Sequence, residues 1–184
     1  MKITEFKNLQ TQNLDLKPLV ASFEFANYLF DLITNNKEHF KYMPFVTVKK
    51  PEDEFDFLRS AEESWKELKS AQYGIYLRGT NEFIGVCSIF GLSKSKESGE
   101  IGYWLDPKYA RRGYMSEAVK AISDAFFEMG CARIQIVANV KNIASCKIAE
   151  KCGFEQEGIM KRYCFNPYLN EIENMALYAK IKEK

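Results

Sequence analysis

The feature that most constrains the fold is segment 100–118, Glu-Ile-Gly-Tyr-Trp-Leu-Asp-Pro-Lys-Tyr-Ala-Arg-Arg-Gly-Tyr-Met-Ser-Glu-Ala. Its first part predicts a strand that ends before Pro107, and its last part predicts the start of a helix. Because the first N–H groups of a helix lack internal partners and lie at the positive end of the helix dipole, the basic glycine loop between them is suited to bind a phosphate group. A surface turn with solvated arginines explains the loop alone equally well.

The residues of this loop favour a diphosphate as its ligand. Gly113 can adopt a positive φ and lets a ligand approach the backbone. Arg111 and Arg112 add charged hydrogen-bond donors. The loop is not a Walker A loop, because no Gly-Lys-Ser or Gly-Lys-Thr follows it, and the chain contains no Gly-x-Gly-x-x-Gly fingerprint.

The hydrophobic periodicity of the remaining chain predicts a mixed α/β protein in which helices pack on a sheet. With 184 residues, of which 46% are hydrophobic, residues 1–184 are expected to form a single domain. The predicted order of elements is βααβββαβαββ. Strands are expected at 13–19, 72–77, 83–90, 101–105, 134–138, 154–165 and 173–181, and helices at 23–35, 51–68, 117–129 and 145–151.

Charge and cysteine usage exclude several classes of protein. The net charge of +1 argues against direct nucleic-acid binding through bulk charge. Segment 1–7 has no apolar core typical of a signal peptide, and the longest uncharged run, 83–93, is far shorter than the ~20 residues that cross a bilayer. Five cysteines without Cys-x-x-Cys spacing and a single histidine predict free thiols and no metal site. We therefore expect a cytoplasmic protein that does not contact a membrane.

A second motif follows the predicted strand 134–138. It is segment 139–154, Asn-Val-Lys-Asn-Ile-Ala-Ser-Cys-Lys-Ile-Ala-Glu-Lys-Cys-Gly-Phe. Asn142 and Ser145 are three residues apart and therefore lie on one face near the start of a short helix. Taken alone, this spacing is typical of helix capping.

Together, the two motifs resemble the GNAT acetyltransferase superfamily, and within it the RimJ/RimL branch of ribosomal-protein N-acetyltransferases. Segment 35–45, Asn-Asn-Lys-Glu-His-Phe-Lys-Tyr-Met-Pro-Phe, extends the resemblance to nearly the whole chain. It implies the GNAT acyl-CoA N-acyltransferase fold, with a mixed central sheet of about six to seven strands that is flanked by helices and splayed at its central strands. The superfamily loop usually reads Gln/Arg-x-x-Gly-x-Gly/Ala, whereas Ala110 and Met115 stand at its first and last positions here.

The resemblance implies acetyl-CoA as cosubstrate and assigns residues to its parts. The pantetheine arm is expected along the strand at Tyr103, Trp104 and Leu105, with Asn142 as a further contact. The phosphates are expected on the loop and helix start, with Lys147 nearby. The loop residues assigned to the phosphates are Arg111, Arg112, Gly113, Tyr114, Met115 and Ser116.

The resemblance also implies how acetyl transfer proceeds. A protonated amine cannot attack a thioester, so a base takes its proton directly or through water. Glu100 matches the superfamily position for this base, although a solvated strand-end carboxylate is the alternative. The backbone N–H of Leu105 is expected to stabilise the oxyanion. Ser145 matches the donor to the leaving thiolate, with Tyr163 and Tyr168 as alternatives.

The acceptor is expected to be an amine, most of all the N-terminal α-amine of a ribosomal protein of the alanine or serine type. A small amine such as an amino acid, polyamine or drug is the alternative, and a non-catalytic acyl-CoA-binding module is a third. An open cleft between segments 36–50 and 165–171 would favour a peptide, whereas a closed pocket would favour a metabolite.

Several nearby side chains have two interpretations. The acids of segment 52–67 form either a solvated helix face or part of the acceptor cleft, and His39 is expected to be packed or solvent-facing rather than catalytic. Branch members often form homodimers, for which the final strands are the candidate interface. The aromatic and apolar residues that belong either to the core or to an acceptor wall are Tyr42, Met43, Phe45 and Trp65.

Overall fold

The computed structural model describes residues 3–93, 95 and 97–183. Residues 1, 2, 94, 96 and 184, which include both ends of the expected domain, lie outside this description. The helices are α1 Phe23–Asn35, α2 Lys37–Phe40, α3 Pro51–Lys66, α4 Tyr114–Glu128 and α5 Ile143–Lys151. The strands are β1 Leu9–Gln10, β2 Leu14–Pro18, β3 Ala71–Leu77, β4 Phe83–Phe90, β5 Ser98–Leu105, β6 Arg133–Asn139, β7 Glu155–Asn166 and β8 Glu171–Ile181.

The strands form one mixed sheet in the order β1-β2-β3-β4-β5-β6-β8-β7. β5 and β6 are parallel, and the other neighbouring pairs are antiparallel. This architecture confirms the predicted α/β class. The sheet has eight strands rather than six to seven, because the two-residue β1 adds an edge that is too short to show an alternating pattern. The four-residue α2 escaped prediction for the same reason.

α1 and α3 pack together on one face of the sheet. α1 begins after Ser22, whose hydroxyl accepts the N–H of Phe25 at 3.1 Å, as is common for a helix N-cap. α3 begins at Pro51, and the carboxylate of Asp53 accepts the N–H of Lys50 at 3.2 Å. The apolar residues of these helices pack against side chains of β4 and β5. The buried members of this cluster are Leu19, Ala26, Leu29, Leu58, Ala61 and Val86.

α4 and α5 cover the opposite face of the sheet. The buried residues of α4 recur every three or four positions, and burying each large one stabilises the fold by roughly 1.5–3 kcal/mol. α4 begins three residues earlier than predicted because Gly113, at φ 88°, turns the chain into the helix without a side-chain cap from the described residues. None of the helices in the described part of the chain is long and apolar enough to cross a membrane. The buried stripe of α4 is Met115, Ala118, Val119, Ile122 and Phe126.

The centre of the sheet splits between β5 and β6. Their pairing lasts for three residues and ends where Glu100 lies opposite Gln135. Beyond that point both strands continue, to Leu105 and Asn139, through described residues that make no further pairs with each other. The splayed central strands that the resemblance implied are therefore confirmed.

Candidate active site

A cleft of about 390 Å³ opens where β5 and β6 separate. The two strands form its walls, and segment 42–44 and the β7–β8 hairpin close over it. β5 contributes Glu100, Ile101, Gly102 and Tyr103, β6 contributes Ile136, Val137, Ala138 and Asn139, and the start of α5 contributes Asn142 and Ser145. The hairpin contributes Tyr163, Cys164, Phe165, Asn166, Pro167, Glu173 and Met175.

The two faces of the sheet supply different groups to this cleft. Glu100 lies opposite Gln135, and Asn139 lies opposite Met175. Since side chains alternate along a strand, all four project from the face that carries α1 and α3. Tyr103 projects from the other face, towards α4 and α5. A cosubstrate and an acceptor can therefore meet in the split from opposite faces.

Two backbone N–H groups of β5 face the split and have no hydrogen-bond partner among the described residues. The N–H of Asp106 donates to Ile84 of β4 at 2.8 Å. Because N–H groups point alternately to either side of an antiparallel strand, those of Tyr103 and Leu105 face away from β4 and into the split. His39 Nε2 donates to the carbonyl of Leu105 at 3.1 Å. His39 thus supports this edge from α2, a contact that sequence reasoning missed.

A buried pair of hydroxyls bridges the split. Ser145 Oγ donates to Tyr103 Oη at 3.1 Å, and Tyr103 Oη donates to the carbonyl of Ser145 at 3.0 Å. Burial raises the pKa of Tyr103 well above its ordinary value, so its phenol is neutral at physiological pH. Ser145 is 8% exposed, and its N–H donates to Asn142 Oδ1 at 3.2 Å. Asn142 therefore caps α5 as its spacing predicted and also lines the cleft.

Glu100 occupies the closed end of the split. It is half-buried, and its Oε2 accepts a hydrogen bond from Gln135 Nε2 at 2.9 Å. The carboxylate therefore lines the cleft and is not merely solvated at a strand end. Its position is compatible with a proton acceptor that works through water.

The basic loop has the geometry of an anion-binding helix start. Arg111 and Gly113 both adopt a positive φ, of 64° and 88°, and successive turns of this kind aim N–H groups at one point. Gly113 has open space where a side chain would stand. Arg111 and Arg112 are exposed, and the guanidinium of Arg112 lies 5.6 Å from the ring centre of Tyr109. The hydroxyl of Tyr109 in turn donates to the carboxylate of Glu82. This hydrogen bond holds the ring of Tyr109 in place beside the guanidinium of Arg112.

The remaining cofactor candidates differ in what their side chains do. Trp104 packs its ring against Phe40 and Phe83, with ring centres 5.6 and 5.8 Å apart, so it is a structural side chain. Met115 is buried in the core, which explains why its size does not obstruct the loop. Tyr114 and Ser116 are half-buried in the first turn of α4, and Lys147 is exposed on α5.

The acceptor candidates divide between cleft, core and surface. Tyr42 and Met43 line the cleft, whereas Phe45 packs near Trp104 and Trp65 belongs to the core. Of the alternative donors, Tyr163 lines the cleft at its rim. Tyr168 instead donates to Glu38 at 2.8 Å. None of the acids of segment 52–67 is among the residues found to line the cleft.

Sequence reasoning missed Glu173, the buried carboxylate of the cleft. It is 5% exposed and lies on β8, where the sequence predicted only the start of a strand. Its Oε1 accepts a hydrogen bond from Asn166 Nδ2 at 2.8 Å. A charged residue at an inward position of an alternating strand was the available signal. Among the described residues, no group of three or more His, Cys, Asp or Glu side chains could hold a metal ion.

Comparison with known proteins agrees with this geometry. Residues 13–155 match the family model "Acetyltransferase (GNAT) domain". The chain is 28% identical over 161 residues to the N-acetyltransferase YoaA of Bacillus subtilis (strain 168), covering 87% of this chain and 89% of YoaA. It is 34% identical over 103 residues to the ribosomal-protein-serine acetyltransferase of Escherichia coli (strain K12), covering 55% of this chain and 56% of that one.

Comparison with solved structures finds the same fold in related acetyltransferases. The solved structure of RimL, the ribosomal L7/L12 alpha-N-protein acetyltransferase, in complex with coenzyme A superposes with a TM-score of 0.84. It is 23% identical, over 95% of this chain and 98% of RimL. The chain therefore belongs to the GNAT acetyltransferase family and is an acetyl-CoA-dependent N-acetyltransferase. Its resemblance to the RimJ/RimL branch is confirmed.

Proposed function

We propose that the acceptor of this acetyltransferase is a small molecule with a primary amine. The observation that carries the proposal is the closure of the cleft between segments 36–50 and 165–171. Asn166 Nδ2 donates to the carbonyl of Lys41 at 2.7 Å, and Tyr168 Oη donates to Glu38 Oε1 at 2.8 Å. These bonds join the two segments that an extended peptide would have to pass between. A pocket closed on this side favours a compact acceptor.

Acetyl-CoA supplies the acetyl group as a thioester. In this proposal Glu100 takes the proton of the acceptor ammonium, directly or through water. The Leu105 N–H, which faces the split, stabilises the oxyanion. Ser145 donates its hydroxyl hydrogen to the departing thiolate after turning it away from Tyr103 Oη. The ordinary thiol pKa of about 8.5 makes this last help modest.

The same proposal assigns residues of the protein to the parts of acetyl-CoA. The N–H groups of residues 113–116 bind the pyrophosphate, and Arg111, Arg112 and Lys147 offset its charge. Asn142 and the backbone of residues 103–105 bind the pantetheine arm. Supporting this assignment, the loop has exposed charge, an open glycine and free helix N–H groups in one place.

A protein N-terminal α-amine is the second candidate acceptor. It is favoured by the exposed aromatic rim of the cleft, where Tyr163 and Phe165 are each 58% exposed and could pack against a peptide. The E. coli relative, by its name, acts on a ribosomal protein. A homodimer formed through the final strands, β7 and β8, and a cytoplasmic location stay predictions.

Release of free thiol from acetyl-CoA tests the proposal. The acceptors are a panel of primary amines and a panel of short peptides with free Ala or Ser N-termini, each paired with its N-acetylated form as control. We expect turnover with small amines to exceed turnover with every peptide by at least tenfold. Faster turnover with the peptides would assign the second candidate, and thiol release without any amine would contradict acetyl transfer to an acceptor.

A further inference from the structure

His39 contacts strand β5 at its last residue, Leu105. The Nε2 atom of His39 lies 3.1 Å from the carbonyl oxygen of Leu105, although the two residues are 66 positions apart. Because a carbonyl oxygen can only accept, this nitrogen carries the proton and donates it. The pairing of β5 with β6 has already ended at Glu100. Within the described sheet, no neighbouring strand therefore holds Leu105 from the side of the split, and His39 takes that place.

The peptide group that contains the Leu105 carbonyl is held at both of its polar ends. Its N–H, which belongs to Asp106, donates to the carbonyl of Ile84 in β4 at 2.8 Å. In a trans peptide the C=O points away from the N–H, so the Leu105 carbonyl faces the split, where His39 binds it. Ile84 and His39 together therefore fix the direction of this peptide group.

The preceding peptide group, which contains the N–H of Leu105, is held by a close contact with β4. A Cβ atom added to Gly85 would overlap the carbonyl oxygen of Trp104 and would stand 2.9 Å from Leu105 Cα. The end of β5 approaches β4 this closely because residue 85 has no side chain. With its carbonyl against Gly85, this peptide group directs the Leu105 N–H into the split.

The residues on either side of His39 hold the hairpin that closes the cleft. Glu38 Oε1, in α2, accepts the hydroxyl hydrogen of Tyr168 at 2.8 Å. The carbonyl of Lys41, at the end of α2, accepts Asn166 Nδ2 at 2.7 Å. The same short helix therefore contacts the β7–β8 hairpin on the acceptor side and, through His39, the end of strand β5.

We propose that His39 is a positioning residue of acetyl transfer, which links closure of the acceptor cleft to the alignment of the Leu105 N–H. The inference rests on the proposed function, in which this N–H stabilises the oxyanion. During transfer the amine nitrogen bonds to the thioester carbon, the C=O electron pair moves onto the oxygen, and it returns as the C–S bond breaks. The protons move through Glu100 and Ser145 as described above. A donor that is fixed in advance stabilises the oxygen most, and His39 fixes it through the backbone.

Three variants separate positioning from folding. His39→Leu removes the donor, His39→Gln restores an N–H donor of similar reach, and Lys37→Leu is the control at an exposed position of the same helix. Thiol release is measured with the fastest acceptor from either panel. We expect kcat to fall about tenfold in His39→Leu and to stay within about threefold of wild type in the other two, because small misplacements cost rate steeply. The thermal midpoint and coenzyme A affinity should be preserved.

Three results would overturn the positioning role. They are an unchanged kcat in His39→Leu, a loss confined to the KM of the acceptor, and a His39→Gln variant as slow as His39→Leu.

Tyr168→Phe tests the link between His39 and the closed cleft, since it removes the hydrogen bond to Glu38. We expect kcat to fall about threefold in the otherwise wild-type protein and to stay the same when His39→Leu is already present, as coupled residues are not additive. Equal losses in the two backgrounds would overturn the link.

The chain contains a single histidine, which gives an NMR readout that needs no turnover. We expect the imidazole proton of wild type to reside on Nε2 and to exchange slowly with water, and to exchange faster in Tyr168→Phe. An Nε2 without a proton in wild type would overturn the hydrogen bond to Leu105. Should only peptides be acetylated, the small-amine proposal fails, whereas the variants assayed with peptides and the NMR signal still decide the role of His39.

Discussion

The two sides of the split are built in different ways. The proposed cofactor side consists of β5, the loop and the start of α4, which are continuous in sequence, and the groups proposed to bind acetyl-CoA there are mainly backbone N–H groups. The acceptor side is assembled from segment 38–44, the end of β6 and the β7–β8 hairpin, and its groups are side chains. In the proposed function, cofactor binding therefore depends on backbone geometry, whereas acceptor choice depends on a few side chains that can change independently.

The largest expected effect is at the closed end, where both sides meet. Glu100→Gln removes the proposed proton acceptor and should lower kcat/KM about 100-fold at pH 7, since a positioned base contributes at least that much. The loss should shrink at pH 9, where more of the amine is already neutral. Initial rates at both pH values measure it, with the exposed Glu97→Gln as control. Equal losses at the two pH values would exclude a base role.

Gly113→Val should affect the cofactor side alone. The backbone at Gly113 has φ 88°, a region that a β-branched residue strongly disfavours, and strain of this kind costs about 1–3 kcal/mol. We expect the KM of acetyl-CoA to rise about tenfold or more while the KM of the acceptor stays within twofold. Gly158→Val, on β7 in open space, is the matched control. A larger change in the acceptor KM would break the distinction between the two sides.

Ser145→Ala should have a smaller effect than either change. The hydroxyl bonded to Tyr103 is lost, but a thiolate is a good leaving group without strong acid help. We expect kcat to fall about threefold, measured as thiol release at saturating substrates. Ser123→Ala, which removes a buried hydroxyl of α4 outside the cleft, is the comparison. A fall in kcat of more than 100-fold would contradict this expectation, because it would mean that departure of the thiolate depends on the hydroxyl of Ser145.

The sequence predicted the strand, loop and helix start of the proposed cofactor side because these parts are local. A strand, a proline, a basic glycine loop and a helix start follow one another in segment 100–118, so their geometry follows from neighbouring residues. Asn142 and Ser145 are likewise one helical turn apart. These residues were found in the expected places, although their roles in binding and catalysis stay predictions.

The acceptor side could not be predicted in the same way. The hydrogen bond between Asn166 and Lys41 joins residues 125 positions apart, and no local sequence pattern predicts it. The sequence pattern of Glu173 is that of an ordinary polar residue at the start of a strand. Its burial could not be predicted, because it depends on segment 42–44, which is distant in sequence and closes over the cleft. Strand β1 and helix α2 were missed because two or four residues are too few to show a period.

Glu54 tests whether the acids of α3 belong to the acceptor side. Burial, followed by repulsion from Asp53, raises the pKa of this carboxyl from 4.5 to about 7. The folded state then holds a proton that the unfolded state has lost, so the free energy of unfolding should fall as pH rises from 4.5 to 7. Glu54→Gln should stabilise the protein by about 1–2 kcal/mol at pH 8 and by little at pH 4.5.

Denaturant unfolding at the two pH values measures this change, and the acceptor KM provides the control. An unchanged KM agrees with the position of Glu54 away from the cleft. A several-fold rise in the acceptor KM would instead indicate that the acids of α3 contribute to the acceptor site.

The central claim is that acetyl-CoA occupies the split from the cofactor side while the acceptor enters from the other. A crystal structure of the protein with coenzyme A tests it most directly. We predict that the pyrophosphate lies within hydrogen-bond distance of the N–H groups of residues 113–116 and that the pantetheine passes between β5 and β6, leaving the space beside Glu173 open. A pyrophosphate bound away from this loop, or a pantetheine that fills the space beside Glu173, would contradict the account.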